Sequence, residues 1–411
     1  MSLDLVSFDA ALKQHYTDDM VMNLVYRDHP LLAMMPKYED FGGRNLPIPL
    51  LYGNPQGRSA SFSQAQSRGQ VTNSQLQDFV LTRVKDYSVA TIDNETLEAS
   101  KGNANAFMEA ATTEIDGAID VLSRSIAIKM YRDSSGYLAQ VTAEPAEAAS
   151  TVLTLSEISE ITSFEIGMEL VIWSAKSGGT QKTFDGSVTS AIVSAVDRDL
   201  GTITLDQAYT ASGTIAANDF LFVNGDRGIS LSGLEGWLPD SAPTSDLFFG
   251  VDRSVDAVRL GGIRYDGSNQ PIEEALIDAA SRAGREGGKP DHCFLNYEKY
   301  AELEKSLGSK VQYIDLEMNA MVGFRGILIT GPRGPIRVIP DQNSRADRAS
   351  MLQINSWKLY SLGKAVKVID TDGLSMLRQA TSDGVEVRYG FYGNVGCRAP
   401  GYNVNVALQS S

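Results

Sequence analysis

The sequence predicts an α+β protein that carries a small inserted β-barrel or β-sandwich domain. Three stretches of the 411-residue chain predict this class. Residues 103–133 show the apolar spacing of one long amphipathic helix, residues 139–226 show short strands without a helical period, and residues 262–408 mix the two patterns. A strand-rich segment that interrupts helical and mixed sequence is typical of an inserted domain.

The composition is that of an ordinary globular protein. With 43% apolar and 21% charged residues, the chain has enough apolar side chains for a substantial core. It contains no run of about 18 apolar residues, so we expect no membrane span. The first residues lack the basic start and apolar block of a secretory signal. Two cysteines, Cys293 and Cys397, are too few for a disulfide framework and fit a reducing cytoplasm.

Charge is distributed unevenly along the chain, whose net charge is −15. Residues 139–226 hold 12 acidic and only 3 basic residues. In residues 42–88 the sign reverses, because five basic residues outnumber two acidic ones. The basic residues are Arg44, Arg58, Arg68, Arg83 and Lys85. A basic segment in an acidic chain predicts contact with acidic surfaces of other copies, and Arg44, Arg58 and Arg68 are the candidate contact residues. A solvated loop that holds some arginines is the alternative.

The N-terminal part predicts a helix followed by an extended arm. Residues 7–26 place apolar side chains at four-residue steps, and Pro30 and Pro36 interrupt the pattern that follows. Residues 42–88 begin rich in Gly, Pro, Ser and Gln and end in strand-like alternation, which predicts an extended β-hairpin. Such an arm buries little of itself, so we expect it to lie on a neighbour or to be mobile.

Residues 103–133 predict the most regular element of the chain. The stripe consists of residues at three- and four-residue steps: Phe107, Ala111, Ile115, Ala118, Leu122, Ile126 and Lys129/Met130. Asn103 or Asn105 can cap its start. About 28 helical residues would extend roughly 42 Å, which is long for a core helix and predicts a structural spine.

Beyond residue 262 the sequence predicts a mixed α/β region. Pro271 opens a helix that Gly287 and Gly288 end, and Asn296 caps a second helix after a short strand. Residues 384–408 predict a final strand pair. Its first strand places four apolar side chains on one face: Val385, Val387, Tyr389 and Phe391.

The stretch "TGPRGP" within residues 323–341 poses a choice between a phosphate-binding loop and a turn. A phosphate loop needs successive backbone N–H groups and a following Lys-Ser or Lys-Thr pair. Pro332 and Pro335 have no N–H, and no such pair follows. The β-branched sequence on both sides predicts a hairpin instead.

We find no convincing catalytic, metal-binding or cofactor-binding residues in the sequence. The three histidines do not have zinc spacing, and His292 and Cys293 would point to opposite faces of a strand, which disfavours a nucleophile and base pair. A carboxylate pair, Asp197 and Asp199, and a carboxylate at a strand end, Asp341, are better explained as turn residues. Cys397 is predicted to be a packed thiol.

The order of these elements resembles the major capsid proteins of tailed bacteriophages. The resemblance extends over roughly three-quarters of the chain, and the stretches that carry it are "YRDHPLLAMMPKYEDFGGRNLPIPLLYG", "IEEALIDAASRAGREGGKPDHCFLNYEKYAELEKSLG", "GFRGILITGPRGPIRVIPDQN", "MLQINSWKLYSLG" and "VEVRYGFYGNVGCRAPGYNVNVAL". The resemblance implies the Hong Kong 97-like fold. Its subunits form hexamers and pentamers that close into an icosahedral head around double-stranded DNA, assembled in the host cytoplasm.

The resemblance also implies a division of the chain and a set of partners. The division is an N-terminal arm at 1–41, an extended loop at 42–88, a peripheral domain with the spine helix at 89–138, an inserted β-domain at 139–227, a linker and axial domain at 228–380, and peripheral return strands at 381–411. The implied partners are other copies, scaffolding and portal proteins and a decoration protein, without cofactor or enzymatic activity. Some members crosslink through a loop lysine; residues 56–70 contain none, so we expect no crosslink here.

Other interpretations remain open at this point. A nanocompartment shell of the same fold would enclose a cargo enzyme rather than a genome. A cytoplasmic enzyme with an accessory β-domain would use His292 or a carboxylate pair. A β-rich ligand-binding, tail or decoration protein would use residues 139–226 as its binding module.

Overall fold

A computed structural model gives the architecture of most of the chain. It describes residues 25–26, 28–93, 104–142, 150–184, 188–209, 215–308, 313–316, 324–370, 376–379 and 383–409. The predicted helix at 7–26, including Phe8, Leu12, Tyr16 and Met20, lies almost wholly outside this part. Asn103 and the side chains of Asn105, Phe107 and Ala111 also lie outside it.

The described chain combines a few helices with long runs of consecutive strands, which confirms the α+β class. The helices are α1 (Pro30–Met34), α2 (Phe62–Val71), α3 (Ala104–Tyr131), α4 (Leu234–Trp237), α5 (Ile272–Arg285) and α6 (Tyr297–Leu307). The strands are β1 (Lys37–Tyr38), β2 (Asn45–Gly53), β3 (Gln75–Thr82), β4 (Val84–Asp93), β5 (Tyr137–Gln140), β6 (Ser150–Thr154), β7 (Glu169–Trp173), β8 (Ala191–Asp197), β9 (Thr202–Tyr209), β10 (Phe220–Val223), β11 (Leu247–Phe248), β12 (Val251–Asp252), β13 (Ile263–Asp266), β14 (His292–Leu295), β15 (Tyr313–Leu316), β16 (Phe324–Gly331), β17 (Gly334–Pro340), β18 (Arg348–Leu352), β19 (Trp357–Ser361), β20 (Lys367–Val368), β21 (Met376–Arg378), β22 (Gly384–Cys397) and β23 (Val404–Ala407).

The first sheet and the long helix α3 form one body with a shared core. The sheet has the order β1-β19-β22-β20, and β4 and β21 also pair with the 14-residue β22. Helix α3 spans 28 residues and packs against β4 and β22. Its stripe is buried at Ile115, Leu122, Ile126 and Met130, as the spacing predicts. Opposite, Val385, Val387, Tyr389 and Phe391 are buried in the same core.

The second sheet forms a separate core with two helices. Its order is β13-β23-β18-β14-β17-β16-β15, with parallel and antiparallel neighbours mixed. Helix α5 ends where Gly287 adopts φ +96°, a left-handed conformation that suits glycine. Asn296 caps α6 by accepting the Glu298 N–H. Both helix ends agree with the sequence signals. Strands β16 and β17 form the hairpin predicted for "TGPRGP", since Gly331 pairs with Gly334.

Six strands form the inserted β-domain, which is a closed barrel. Their order is β5-β10-β7-β8-β9-β6, and the two end strands join through an antiparallel bridge between Val141 and Leu155. Hydrogen bonds from Thr142 N to the Thr154 carbonyl (3.0 Å) and from Ser156 N to the Gln140 carbonyl (2.8 Å) complete the ring. Closure removes the open sheet edges that a sandwich would leave. The sequence left barrel or sandwich undecided, and the structure selects the barrel.

The sheets divide the chain differently from the predicted boundaries. The predicted final strand pair at 384–408 is wrong, because β22 belongs to the first sheet and β23 to the second. Likewise β19, β20 and β21 fall inside the predicted axial segment 228–380, yet they pair within the first sheet. Pairing between strands distant in sequence depends on backbone hydrogen bonds that every residue type except proline can both donate and accept, so local sequence does not reveal it.

Three residues at the end of α3, Lys129, Tyr131 and the following Arg132, join these bodies through four polar contacts. Lys129 Nζ lies 2.8 Å from Asp86 on β4 and 2.9 Å from Asp226 just beyond the barrel. Arg132 Nη2 lies 2.5 Å from Glu160 of the barrel, and both side chains are buried. The Tyr131 hydroxyl donates a hydrogen bond to Asp341, which lies between β17 and β18 of the second sheet. We call this group the helix-end junction; it fixes the barrel and both sheets relative to α3.

Candidate assembly surface

The β2–β3 hairpin is anchored to the body at one end only. Near the body, Ile48 pairs with Phe79, both are buried, and the Phe79 ring lies 5.0 Å from that of Trp237 in an edge contact. At the far end, the paired Leu51 and Leu76 are 53% and 62% exposed. The same strands therefore change from core to solvent along their length.

Beyond the strands, the tip of the hairpin contains helix α2, which the sequence analysis did not predict. None of its residues is buried, and its end residues Phe62 and Val71 are 83% and 80% exposed. The segment before the helix folds back on it, because a Cβ added at Gly57 would lie 3.1 Å from the Gly69 Cα. Serine before a run of Gln, Ala and Ser is the weak helix signal that the prediction missed.

Elements of this size gain little stability alone. A helix of ten residues is marginal in water, and so is a two-stranded hairpin without a further sheet or helix against it. The tip instead presents large apolar side chains to solvent: Leu51, Phe62, Val71 and Leu76. Because exposed apolar surface on a projecting element is a feature of interaction sites, we treat residues 42–82 as the candidate assembly surface.

The structure separates the three candidate contact residues into two places. Arg58 and Arg68 lie together at the tip, where Arg68 Nη1 donates to the Arg58 carbonyl at 3.3 Å. Arg44 lies at the base, just before β2, and all three side chains are exposed. None of them forms an ion pair with a carboxylate in the part of the chain that the structure describes. Residues 54–74 contain no Asp or Glu, so the tip is cationic.

The other basic residues of the segment have contacts within the body. Arg83 donates to the Phe41 carbonyl at 2.9 Å, and its guanidinium carbon lies 5.4 Å from the centroid of the Phe41 ring. Lys85 is exposed on β4, next to the Asp86 carboxylate that binds Lys129. The positive charges at the tip of the arm are therefore separate from those of Arg83 and Lys85 near the body.

The candidate nucleophile and base are buried in the second sheet. His292 and Cys293 are neighbours on β14. The Nδ1 atom of His292 contacts Oδ1 of Asp291 at 3.0 Å, so this nitrogen pairs with a carboxylate and not with the Cys293 thiol. Burial raises the pKa of the Cys293 thiol to about 12, so the thiol is protonated at neutral pH. Cys397 is equally buried, and burial raises its pKa to about 12. The structure therefore assigns both cysteines to the core.

The candidate carboxylates also have structural contacts. Asp197 Oδ1 accepts the backbone N–H groups of Asp199 and Leu200 at 3.0 Å each, which caps the β8–β9 turn. Asp341 caps its own turn by accepting the Asn343 N–H at 2.9 Å. Within the described residues, no three His, Cys, Asp or Glu side chains come together as a metal site. None of the described helices has the length and apolar character that a membrane crossing requires.

Comparison with known proteins gives likeness in structure but not in sequence. No protein-family model and no curated protein matches the chain. Among solved structures, it is similar to a chain of the cyanophage A-1(L) capsid asymmetric unit, with a TM-score of 0.48, 11% identity and 93% of each chain covered. It is also similar to a chain of the satellite phage P4 procapsid that includes the size determination protein, with a TM-score of 0.39, 9% identity, and 95% of this chain and 99% of that chain covered.

A third similar structure comes from Mycobacterium phage Bobi, with a TM-score of 0.42, 9% identity, and 94% of this chain and 92% of that chain covered. All three TM-scores lie below 0.5 and all identities below 25%. Similarities at those values do not assign a function to this chain.

Proposed function

We propose that the chain is the structural subunit of an icosahedral shell, a major capsid protein of a tailed bacteriophage. Its copies would associate as hexamers and pentamers and enclose double-stranded DNA. The observation that carries the proposal is the candidate assembly surface. It is anchored to the body through Ile48 and Phe79 and projects exposed apolar and cationic side chains that the described chain does not cover.

Electrostatics supports contacts between copies. The tip is cationic, whereas the chain has a net charge of −15, so a tip that lies on the body of a neighbour meets charges of opposite sign. The same acidic body repels DNA phosphates, and a shell that releases its genome needs an inner wall that does not bind phosphate strongly.

The contacts of the candidate catalytic groups and of α3 support a structural rather than a catalytic role. The candidate catalytic groups at Cys293, Cys397, Asp197 and Asp341 are committed to the core or to turns. The helix-end junction locks the barrel and both sheets to a helix of 28 residues. We therefore propose a non-enzymatic protein whose partners are its own copies, joined by scaffolding and portal proteins and by a decoration protein at the barrel.

Expression of the full chain followed by negative-stain microscopy and light scattering tests the proposal. We expect rings or closed particles tens of nanometres across. Nuclease-resistant DNA inside particles from infected cells would support a phage head, whereas a protein cargo without DNA would identify a nanocompartment shell. A small oligomer that never forms rings or particles, with or without enzymatic turnover, would contradict the proposal.

A further inference from the structure

A cleft of about 430 Å³ lies where the end of α3, the barrel and the segment after the barrel meet. Three cations and two carboxylates line it: Lys176, Arg227, Arg253, Asp133 and Glu235. The hydroxyl-bearing residues Ser134 and Ser177 also line it. Its volume falls in the range of small-molecule sites, about 300–1,000 Å³.

The two carboxylates of the cleft already form ion pairs, with Lys176 of the cleft itself and with Arg345. Lys176 Nζ contacts Glu235 and lies 3.5 Å from Asp133. Arg345 Nη1 lies 3.5 Å from Glu235. Although burial favours the neutral acid, Arg345 and Lys176 lower the pKa of Glu235 to about 2, so it is ionised and paired. Among the described residues, these contacts leave Arg227 and Arg253 as the cations of the cleft that pair with no carboxylate.

Arg253 is a buried cation without a counter-ion among the described residues. Arg253 is only 9% exposed to solvent, and its guanidinium carbon lies 4.0 Å from the centroid of the Phe248 ring. Nη1 donates to the Gly236 carbonyl at 2.8 Å, while the buried Nε has no hydrogen-bond partner. Burial and the charge of Arg264 lower its pKa to about 10, which still leaves it protonated at neutral pH.

Arg227 is a partly exposed cation on the barrel side of the cleft, and it also stacks on an aromatic ring. Its guanidinium carbon lies 3.7 Å from the centroid of the Trp173 ring, and Nη2 donates to the Ala175 carbonyl at 3.1 Å. Its Nε atom is buried and has no hydrogen-bond partner within the part of the chain that the structure describes. The guanidinium group is planar, so stacking one face on an aromatic ring leaves the N–H donors along its edge. That edge matches the paired oxygens of a phosphate or carboxylate.

A buried charge without a partner costs several kcal/mol, so the buried Arg253 favours an anion in the cleft, and the partly exposed Arg227 adds a second cation to the same cleft. We propose that this cleft binds a small molecule through an oxyanion, a phosphate or carboxylate group held by Arg227 and Arg253. The site does not depend on shell formation, because all of its residues belong to one chain.

Calorimetric titration of the purified full-length chain with inorganic phosphate, pyrophosphate and citrate, at constant ionic strength and neutral pH, tests the site. We expect saturable binding of at least one of these anions and at least a tenfold weaker affinity in Arg227→Gln. Phosphate or pyrophosphate binding without citrate binding would assign a phosphate ligand, and the reverse would assign a carboxylate ligand.

Arg285→Gln is the matched control, because Arg285 is an exposed arginine on α5 outside the cleft. It should bind as the unchanged protein does. Arg253→Gln should also lose binding. Because Arg227 is more exposed than Arg253, Arg227→Gln should still fold, and it keeps the test decisive if Arg253→Gln does not fold. Absence of binding for all three anions, or equal binding by Arg227→Gln and Arg285→Gln, would overturn the proposal, whether or not the protein forms particles.

Discussion

The phenol of Tyr131 donates a hydrogen bond of 2.8 Å to Oδ2 of Asp341, a residue 210 positions further along the chain. The same oxygen lies 3.4 Å from the backbone N of Leu31. Asp341 thus connects the end of α3, the segment after β17 and the N-terminal segment in one buried contact. Burial raises the pKa values of both Tyr131 and Asp341. Asn343, which also bonds Asp341, donates to Nδ1 of His29 at 3.1 Å.

His29 should make stability depend on pH. Its Nδ1 accepts a hydrogen bond, which requires a neutral ring, and burial with the charge of Arg124 lowers its pKa from 6.5 to about 4. Because the neutral form is favoured in the folded state, its contribution is complete above pH 6.5 and is lost as pH falls towards 4. The loss is about 3 kcal/mol at most.

Urea unfolding of unassembled subunits at pH 7 and pH 4.5 measures this effect. The unchanged protein should lose about 2–3 kcal/mol more than His29→Gln over that interval. The same pH dependence in the two proteins would show that His29 is not responsible.

Lys129→Met should destabilise the fold by about 3–5 kcal/mol, since it leaves two carboxylates facing each other without their cation. Lys129→Met combined with Asp86→Asn should recover part of that loss. Chemical unfolding measures both variants. Lys305→Met, at an exposed position on α6, is the control and should change stability by less than about 0.5 kcal/mol. Equal effects at Lys129 and Lys305 would contradict the role of the helix-end junction.

Arg58→Glu with Arg68→Glu should impair assembly while leaving the subunit folded, because both side chains are exposed at the tip without a carboxylate partner in the described chain. Arg58→Lys with Arg68→Lys keeps the charge and should assemble far better. Particle yield by microscopy and far-UV circular dichroism measure the two effects. Normal particles from the glutamate variant would refute a contact role for the tip charges.

Phe62→Ser with Val71→Ser tests the apolar part of the tip. Both side chains are about four-fifths exposed, so their loss should change the unfolding free energy of the subunit by less than about 0.5 kcal/mol. If the tip docks on a neighbour, burial of these groups is lost and particle yield should fall. Unchanged yield would mean that α2 stays in solvent within the shell.

The barrel should fold without the rest of the chain. Residues 132–228 contain a core of their own, in which Phe164, Leu170 and Phe184 are buried, and keep the pair between Arg132 and Glu160. We expect a monomer with a cooperative thermal transition, measured by circular dichroism and light scattering. Leu170→Asp in the same fragment should abolish that transition. An unfolded fragment would count against an independent inserted domain.

Local elements were predictable because their signals lie in neighbouring residues. The stripe of α3, the Asn296 cap, the glycine stop of α5 and the "TGPRGP" hairpin all follow from spacing, capping and turn chemistry. The basic character of the arm was likewise visible in composition. These are short-range effects, and the residues that produce them lie within one or two turns of each other.

The order of residues along the chain is enough to predict the α+β class, the long helix, the β-rich insertion and the charge contrast between arm and body. It does not reveal that the barrel is closed, that β22 and β23 belong to different sheets, or that Arg58 and Arg68 lie together while Arg44 lies apart; these features emerge in the folded chain. Folding also places Arg227 and Arg253 on one cleft. The difference lies in how far apart along the chain the interacting residues are. Apolar spacing and turn chemistry act between neighbouring residues, whereas strand pairing, burial and ion pairs depend on distant residues that folding brings together.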